Sequence, residues 1–165
     1  MTDRTALSKI DLIFGDLESE LATTRRILEI VPEEKFNWKP HEESFSLGAL
    51  AFHITNILFW QKISLTEEGF DLATSPPPEK GRSLPGKDEL LRTFDRNVEE
   101  LREAVIETEE QNLEEPWTLC HGDHAIVTNP RAYVFRRFGT SHLIHHRGQL
   151  SLYLRMLDVP FPQIY

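Results

Sequence analysis

The sequence predicts an all-α protein, a four-helix bundle with long connectors between the helices. Four segments carry apolar residues at the three-and-four spacing of an amphipathic helix, and connectors rich in proline or polar residues separate them. No series of alternating apolar and polar residues indicates strands. With 165 residues the chain has the usual length of one domain, so residues 1–165 are predicted to form a single bundle.

The four predicted helices are each bounded by a recognisable signal. They span about Thr5 to Val31, Leu47 to Thr66, Lys87 to Glu110 and Pro130 to Leu157. Pro32 ends the first helix, and Ser46 has the residue type of an N-cap for the second. Residues 69–86 contain four prolines and three glycines, through which no helix continues. Asn129 and Pro130 predict an N-cap and a first helical residue for the fourth helix.

The composition excludes several classes of function. The net charge of −9 argues against a nucleic-acid partner, because neutralising phosphates requires a basic surface. No apolar run has the length of a membrane span, and the N-terminus lacks the apolar core of a secretory signal. A single cysteine, Cys120, fits a reducing compartment, so a cytoplasmic protein without membrane partners is expected.

Three of the seven histidines lie within residues 142–146. At about 100° per residue, His142 and His146 lie about 40° apart on one helix face, which they share with Gln149 and the apolar side chains of this segment. This face is predicted to turn into the bundle. His145 is predicted to lie at the edge of that face, and Arg147 to point more nearly outward.

The second helix places another histidine, His53, on its own apolar face. Burying neutral imidazoles costs free energy unless each ring nitrogen finds a partner. One divalent metal ion would satisfy a nitrogen on each of His53, His142 and His146. Three histidine ligands also leave a coordination position open, as in reactive metal sites. The alternative is that the three histidines are packing residues bonded to carbonyls and carboxylates.

Further residues near this motif receive narrower predictions. Gln149 is a candidate to contact the substrate or a ligand histidine, or else to bond the backbone of the neighbouring helix. Gly148 is predicted to allow a close helix approach, and Tyr153 to belong to the core. For Arg147, an ion pair or helix contact is favoured over binding a substrate anion.

Residues 120–126, "CHGDHAI", form a second group of residues that can bind metals. Their spacing matches no closed zinc motif, so a second metal site is not favoured. The segment is instead predicted to lie over one mouth of the bundle, where Asp123 or His124 acts as an acid or a base near the metal.

Two stretches of the sequence resemble the DinB/YfiT-like family. The first is Ser46-Leu47-Gly48 followed by Leu50 and His53, and the second is "HLIHHRGQLSLYLRMLDVPFPQIY" from His142 onward. The resemblance implies a four-helix bundle that holds nickel or zinc on His53, His142 and His146, and often a homodimer. It also implies a superfamily whose characterised branches use low-molecular-weight thiols, as in bacillithiol- or mycothiol-dependent transferases and isomerases.

These observations predict a metal-dependent enzyme acting on a small-molecule substrate, either a thiol-dependent S-transferase or a hydrolase. An open coordination position beside a cavity lined by polar groups is expected for it. One alternative is a metal-binding stress-response protein without turnover, whose ligands are occluded and which has no adjacent pocket. The other is a bundle with structurally packed histidines. The three-histidine motif alone does not separate the first two.

Overall fold

The computed structural model describes residues 7–74, 84–161 and 163. Within these ranges the α-helices are α1 (Lys9–Phe14), α2 (Leu17–Glu29), α3 (Leu47–Thr66), α4 (Lys87–Glu107), α5 (Arg131–Val134) and α6 (Ser141–Met156). A π-helical segment, Phe135–Thr140, joins α5 to α6. Short 3₁₀ turns occupy Glu33–Lys35, Leu72–Thr74 and Glu110–Glu114. The long helices pack around one core, which confirms the all-α bundle.

The first predicted helix is divided into two. Its proposed start at Thr5 lies outside the described residues, and α1 begins at Lys9 behind the N-cap Ser8. The Ser8 hydroxyl accepts a hydrogen bond from the Asp11 backbone N–H, and the Asp11 carboxylate accepts one from the Ser8 N–H. This capping box stabilises a helix start at that position. The chain leaves α1 at Gly15 and re-enters a helix at Leu17.

The second and third predicted helices appear close to their expected bounds. The Ser46 hydroxyl accepts a hydrogen bond from the Ala49 N–H at 3.2 Å, so its predicted role as the N-cap of α3 is confirmed. Helix α4 begins at the predicted Lys87 and ends at Glu107, three positions before the predicted end.

Two predicted connectors contribute to a small sheet that the sequence analysis missed. Strand β1 (Gly69–Asp71) pairs parallel with β2 (Pro116–His121), and β2 pairs antiparallel with β3 (His124–Pro130). Gly122 lies in the turn between β2 and β3 with a φ of 57°, a conformation that glycine adopts readily. Because most of β3 is exposed, it lacks the alternation of apolar and polar residues that marks a half-buried strand.

The sheet also changes how the fourth helix begins. Asn129 pairs with Trp117 in the β2–β3 ladder, and α5 begins at Arg131 with Pro130 in the cap position. The predicted N-cap role of Asn129 is therefore wrong, because strand pairing holds this residue in an extended conformation. The Arg131 guanidinium donates hydrogen bonds to backbone carbonyls at the end of α3, including Ser64 at 3.0 Å. This contact satisfies carbonyls that a helix end leaves without partners.

A second apolar cluster fastens the sheet to the bundle. It consists of Ile63, Trp117 and Val134, which come from α3, β2 and α5. The Trp117 indole donates a hydrogen bond to the Ile63 carbonyl at 3.2 Å, and its side chain is 3% exposed. The β2–β3 hairpin is thereby held against one end of α3. Among the described helices, none combines the length and apolarity needed to cross a membrane.

Helix α6 is buried on two sides, which corrects the predicted orientation of Arg147. This side chain is 2% exposed rather than turned outward. Its guanidinium donates to the Glu20 carbonyl at 3.0 Å and the Thr24 hydroxyl at 3.2 Å, and it forms an ion pair with the Glu20 carboxylate. The ion pair and helix contact favoured from the sequence are both present. Since α6 contacts α2 as well as α3, a residue outside the histidine face can still be buried.

The close helix approach occurs at Gly139 rather than at the predicted Gly148. A Cβ atom on Gly139 would lie 2.2 Å from Cγ of Gln61 on α3, whereas one on Gly148 would meet no atom within 4 Å. The prediction for Gly148 is therefore wrong. The prediction that Tyr153 belongs to the core is confirmed, because its ring is buried and packs edge-to-face on Trp38.

Candidate metal centre

Three histidines from two helices meet at one point beside the core. His53 lies on α3, and His142 and His146 lie one turn apart on α6. The Nε2 atom of His142 lies 2.7 Å from Nε2 of His146 and 3.4 Å from Nε2 of His53. The three candidate ligand atoms all lie within 4.8 Å of one another, so the cluster could hold a metal ion. The sequence-based face analysis selected these same residues.

Hydrogen-bond partners on one side of the His142 and His146 rings favour one tautomer of each. Nδ1 of His142 lies 3.3 Å from the Phe138 carbonyl oxygen, and Nδ1 of His146 lies 2.7 Å from the side-chain oxygen of Gln149. Both oxygens only accept hydrogen bonds, so in the neutral rings the proton is on Nδ1. The Nε2 atoms of His142 and His146 then present their lone pairs to the cluster.

This arrangement suits a cation bound between the rings. Two lone pairs at the 2.7 Å separation of His142 and His146 repel each other unless a positive charge lies between them. A tetrahedral ion with metal–nitrogen bonds of about 2.0–2.1 Å separates its ligand atoms by about 3.3 Å. The spacing between His53 and His142 is close to this value. The donor set of the cluster therefore fits a divalent metal ion.

The surroundings keep the three imidazoles neutral. Burial, followed by the nearby His146 and His142, lowers the pKa of His53 to about 4. Burial also lowers the pKa of His142 and that of His146, although in each case the hydrogen bond to Nδ1 partly offsets the effect. Neutral imidazole is the form that binds metals, so the cluster is ready to bind near neutral pH.

Two phenylalanines complete the surroundings of the cluster, and neither was identified as functional from the sequence. The ring of Phe45 stacks on His53 with centroids 5.3 Å apart, and its edge faces His146 at 6.2 Å. Phe138 contributes the carbonyl that orients His142. The sequence offered one indication that Phe45 lies near the site, namely its position immediately before the N-cap Ser46. The spacing of side chains in the sequence does not reveal that the Phe138 backbone carbonyl contacts His142.

A pocket of about 230 Å³ opens beside His53 and His142. Its other walls come from α3, the β2–β3 hairpin and the helical stretch before α6, and include Trp60, Trp117, Leu119, Val127, Val134 and Phe138. The enzyme hypothesis predicted a cavity at the metal site, and one is present. The expected polar lining is not found in this pocket, because the hairpin contributes apolar side chains to the wall. A second cavity, of about 410 Å³, also reaches His142 and is lined by polar side chains, including Arg137, Ser141 and His145.

The structure places the three predicted catalytic residues differently. Gln149 contacts His146, as one of its predicted roles required. Asp123 and His124 are exposed at the tip of the hairpin, where His124 pairs with His121, and the described pocket lining does not include them. Their roles as acid or base stay predictions. Within the described ranges, the cluster of His53, His142 and His146 is the one group of three or more possible metal ligands.

The fold and the cluster define a helical bundle with a site able to hold one metal ion. A family model described as the DinB superfamily matches residues 16–150. The chain therefore belongs to the DinB superfamily, which confirms the resemblance seen in the sequence. No curated protein matches the chain significantly.

Solved structures of similar fold carry the same family description. A DinB-like protein from Bacillus cereus has a TM-score of 0.69 and 18% identity, with 93% of this chain and 95% of that chain covered. A DinB-like protein from Bacillus subtilis has a TM-score of 0.66 and 19% identity, with 92% of this chain and 97% of that chain covered. A candidate DinB family member from Exiguobacterium sibiricum has a TM-score of 0.69 and 16% identity, with 98% of this chain and 100% of that chain covered. At these identities the likeness establishes the fold.

Proposed function

We propose that this protein is a divalent-metal-dependent enzyme whose metal is held by His53, His142 and His146. The observation that carries the proposal is the convergence of Nε2 atoms from His142 and His146, whose Nδ1 atoms are both bonded to oxygens, together with a pocket that His142 helps to line. A divalent ion held by three neutral imidazoles keeps its full positive charge and acidifies a thiol or a water molecule that binds it. The proposed reaction is thiol-dependent S-transfer or hydrolysis.

The protein's own groups orient the ligands and make room for a substrate. The Gln149 side-chain oxygen accepts a hydrogen bond from Nδ1–H of His146, and the Phe138 carbonyl accepts one from Nδ1–H of His142, so both rings are held in one tautomer. Phe45 covers one face of His53. The pocket leaves space for a small molecule on the side of His53 and His142. Nickel and zinc are both proposed, because imidazole suits either ion.

The two alternatives have weaker support. A bundle with packed histidines accounts for the bonds from Nδ1 of His142 and His146 to oxygens, but leaves their Nε2 atoms facing each other at 2.7 Å. A metal-binding protein without turnover requires ligands that are closed off from any cavity. The pocket beside His53 and His142 favours the enzyme instead.

Further proposals extend the family resemblance. We propose a low-molecular-weight thiol as co-substrate, a homodimeric assembly and a cytoplasmic location. Leu152 and Met156 support the assembly, because they lie one turn apart on α6 and are about half exposed. Sedimentation analysis of the wild-type protein and a Leu152→Glu variant tests this assembly. A wild-type protein that sediments as a monomer at all concentrations contradicts it.

The metal content of tag-free protein tests the main proposal. Mass spectrometry should find close to one equivalent of nickel or zinc in the wild type, and a large loss in His53→Ala and in His142→Ala. His145→Ala is the matched control, because His145 is an exposed neighbour on α6 outside the cluster and should keep its metal. Thiol-transfer and hydrolytic substrates are then screened with the loaded protein. A wild type that takes up neither ion refutes the enzyme proposal.

A further inference from the structure

We infer that the pocket beside His53 and His142 takes an uncharged, compact apolar group of the substrate, about the size of one substituted aromatic ring. This inference deepens the proposed function and rests on it, since the metal cluster defines the reacting end of the pocket. It names the chemical class of the group that the protein recognises. The walls of the pocket, its volume and its position relative to the histidines support it.

The walls are apolar and held in place. Trp117 and Val134 belong to the buried cluster that fastens the sheet to the bundle, and the indole of Trp117 is fixed by its bond to the Ile63 carbonyl. Trp60 packs edge-to-face on Phe70 with centroids 4.8 Å apart. A pocket with such walls is formed before a ligand binds, so little ordering of side chains opposes binding.

The residues that line the pocket disfavour the binding of a charged group. Among the described lining residues, none carries an Asp, Glu, Lys or Arg side chain, and the ionisable side chains are those of His53 and His142. A charged group placed among Trp60, Leu119 and Val127 would lose its hydration without gaining a partner. An apolar group instead gains free energy in proportion to the apolar surface that it removes from water.

The volume limits the size of the group. The pocket holds about 230 Å³. An apolar protein cavity of about 150 Å³ is sufficient to bind benzene, so this pocket accommodates one ring with a short substituent or a branched aliphatic group. Larger fused ring systems would have to extend out of the pocket.

The position of the pocket orients the group. Because His53 and His142 line the same pocket as Trp60 and Trp117, a ring held by the tryptophans lies close to the histidine side chains. The reacting atom of the substrate is therefore expected within a few bonds of the apolar group. A benzylic or short branched alkyl thiol, ester or amide has this form.

Binding of three matched probes tests the inference. The probes are benzyl alcohol, which is neutral, benzoate, which is an anion, and benzylamine, which is a cation at neutral pH. Titrations follow tryptophan fluorescence, since Trp60 and Trp117 line the pocket, and are made on metal-loaded and on metal-free protein. We expect saturable binding of benzyl alcohol in both forms. In the metal-free form, where no ion can ligate a carboxylate or an amine, the charged probes should bind more weakly by about tenfold or more.

Two variants of Val127 locate the binding site. Val127→Asp brings a charge into the wall and Val127→Trp fills the space, so both should weaken benzyl alcohol binding by about tenfold or more. The matched control is Ile126→Asp, since Ile126 precedes Val127 on β3, is 50% exposed and does not line the pocket. This control should bind like the wild type. Circular dichroism and thermal melting verify that each variant is folded.

The outcomes separate this inference from the proposed function. For a protein that does take up metal, equal affinity of its metal-free form for the three probes, or unchanged binding by folded Val127→Asp and Val127→Trp, overturns the pocket assignment alone. Selective binding by a protein that never takes up metal supports the pocket and overturns the enzyme proposal. If Val127→Asp dissociates a dimer and the resulting subunit does not distinguish the probes, the pocket is a contact surface and the inference fails.

Discussion

His142 and His146 present their Nε2 atoms to each other across 2.7 Å, while their Nδ1 atoms are bonded to oxygens of Phe138 and Gln149. In neutral rings, a hydrogen bond between the two Nε2 atoms would require a proton on one of them. The Nδ1 bonds oppose that tautomer, because an oxygen acceptor needs the proton on Nδ1. The pair is thus arranged to share a cation, and the groups that hold it so should control metal affinity.

Replacing Gln149 should weaken metal binding without removing a ligand. Gln149→Leu deletes the oxygen that accepts from His146 Nδ1, so we expect metal affinity to fall by about 10- to 100-fold. Competition with a chromophoric chelator measures this change. Gln149→Glu is the matched control, because its carboxylate can still accept a hydrogen bond from His146 Nδ1–H. This variant should retain most of the metal affinity. Equal affinities of wild type and Gln149→Leu would show that this bond does not support the ligand.

The metal-free protein should lose stability as the pH falls from about 6.5 toward 4. An unfolded histidine has a pKa near 6.5, whereas that of His53 in the folded protein is about 4. Between these values the unfolded state binds more protons, so acid favours unfolding. The stability present above pH 6.5 is therefore lost across this window. The depressed pKa values of His142 and His146 act in the same direction.

Urea denaturation at several pH values between 7.5 and 4 measures this dependence. His53→Leu should show a shallower loss of stability, because one depressed group has been removed while two remain. The exposed His41, which lies outside the histidine cluster, can be replaced by leucine as a matched control. A His53→Leu variant with the wild-type slope would mean that His53 is protonated alike in both states.

A methyl group at position 139 should destabilise the bundle, whereas one at position 148 should not. The Cβ of Gly139→Ala would overlap the side chain of Gln61, which is buried and donates to the Thr140 hydroxyl at 3.1 Å. We expect a loss of about 1–3 kcal/mol. Gly148→Ala faces open space within α6 and should stabilise by up to about 1 kcal/mol. Thermal melting of both variants checks the contrast, and a stable Gly139→Ala would contradict the tight packing.

Removing the charge of Arg147 should cost far more than removing an exposed charge nearby. Arg147→Met leaves the buried Glu20 carboxylate without its ion-pair partner, and we expect a loss of about 3–5 kcal/mol. Arg137→Met is the control, since Arg137 is exposed, and should change stability by less than about 0.5 kcal/mol. Denaturant unfolding measures both. Adding Glu20→Leu to Arg147→Met should recover part of the loss, and a failure to do so would contradict this explanation.

The helices and the histidine cluster were the predictable part of the molecule. His142 and His146 are four positions apart, and helical geometry alone places them on one face. Placing His53 beside them required the second helix to present its apolar face to the same core, which its sequence pattern indicates. The N-cap of α3 was also predictable, since Ser46 bonds a backbone N–H only three residues away.

Features that depend on distant contacts were missed. Strand β1 has three residues and pairs with β2 far along the chain, so local pattern does not reveal it. Arg147 is buried because α6 has a second neighbour in α2, which no pattern within α6 indicates. The apolar lining of the pocket depends on this sheet as well. Leu119 and Val127 in the pocket wall lie on the missed strands, whereas Trp60 lies on a correctly predicted helix.

The separation of the proposed ligands along the chain has a consequence for folding. Positions 53 and 142 are 89 residues apart, so an ion bound to both would act as a noncovalent crosslink. Closing so long a segment lowers the chain entropy of any partly unfolded form that keeps the ion. The entropy of the folded form changes little, because its two ligand positions are already held close together. Loss of the ion would therefore loosen the contact between α3 and α6. The lifetime of the folded protein in a cell would then rise and fall with the supply of metal.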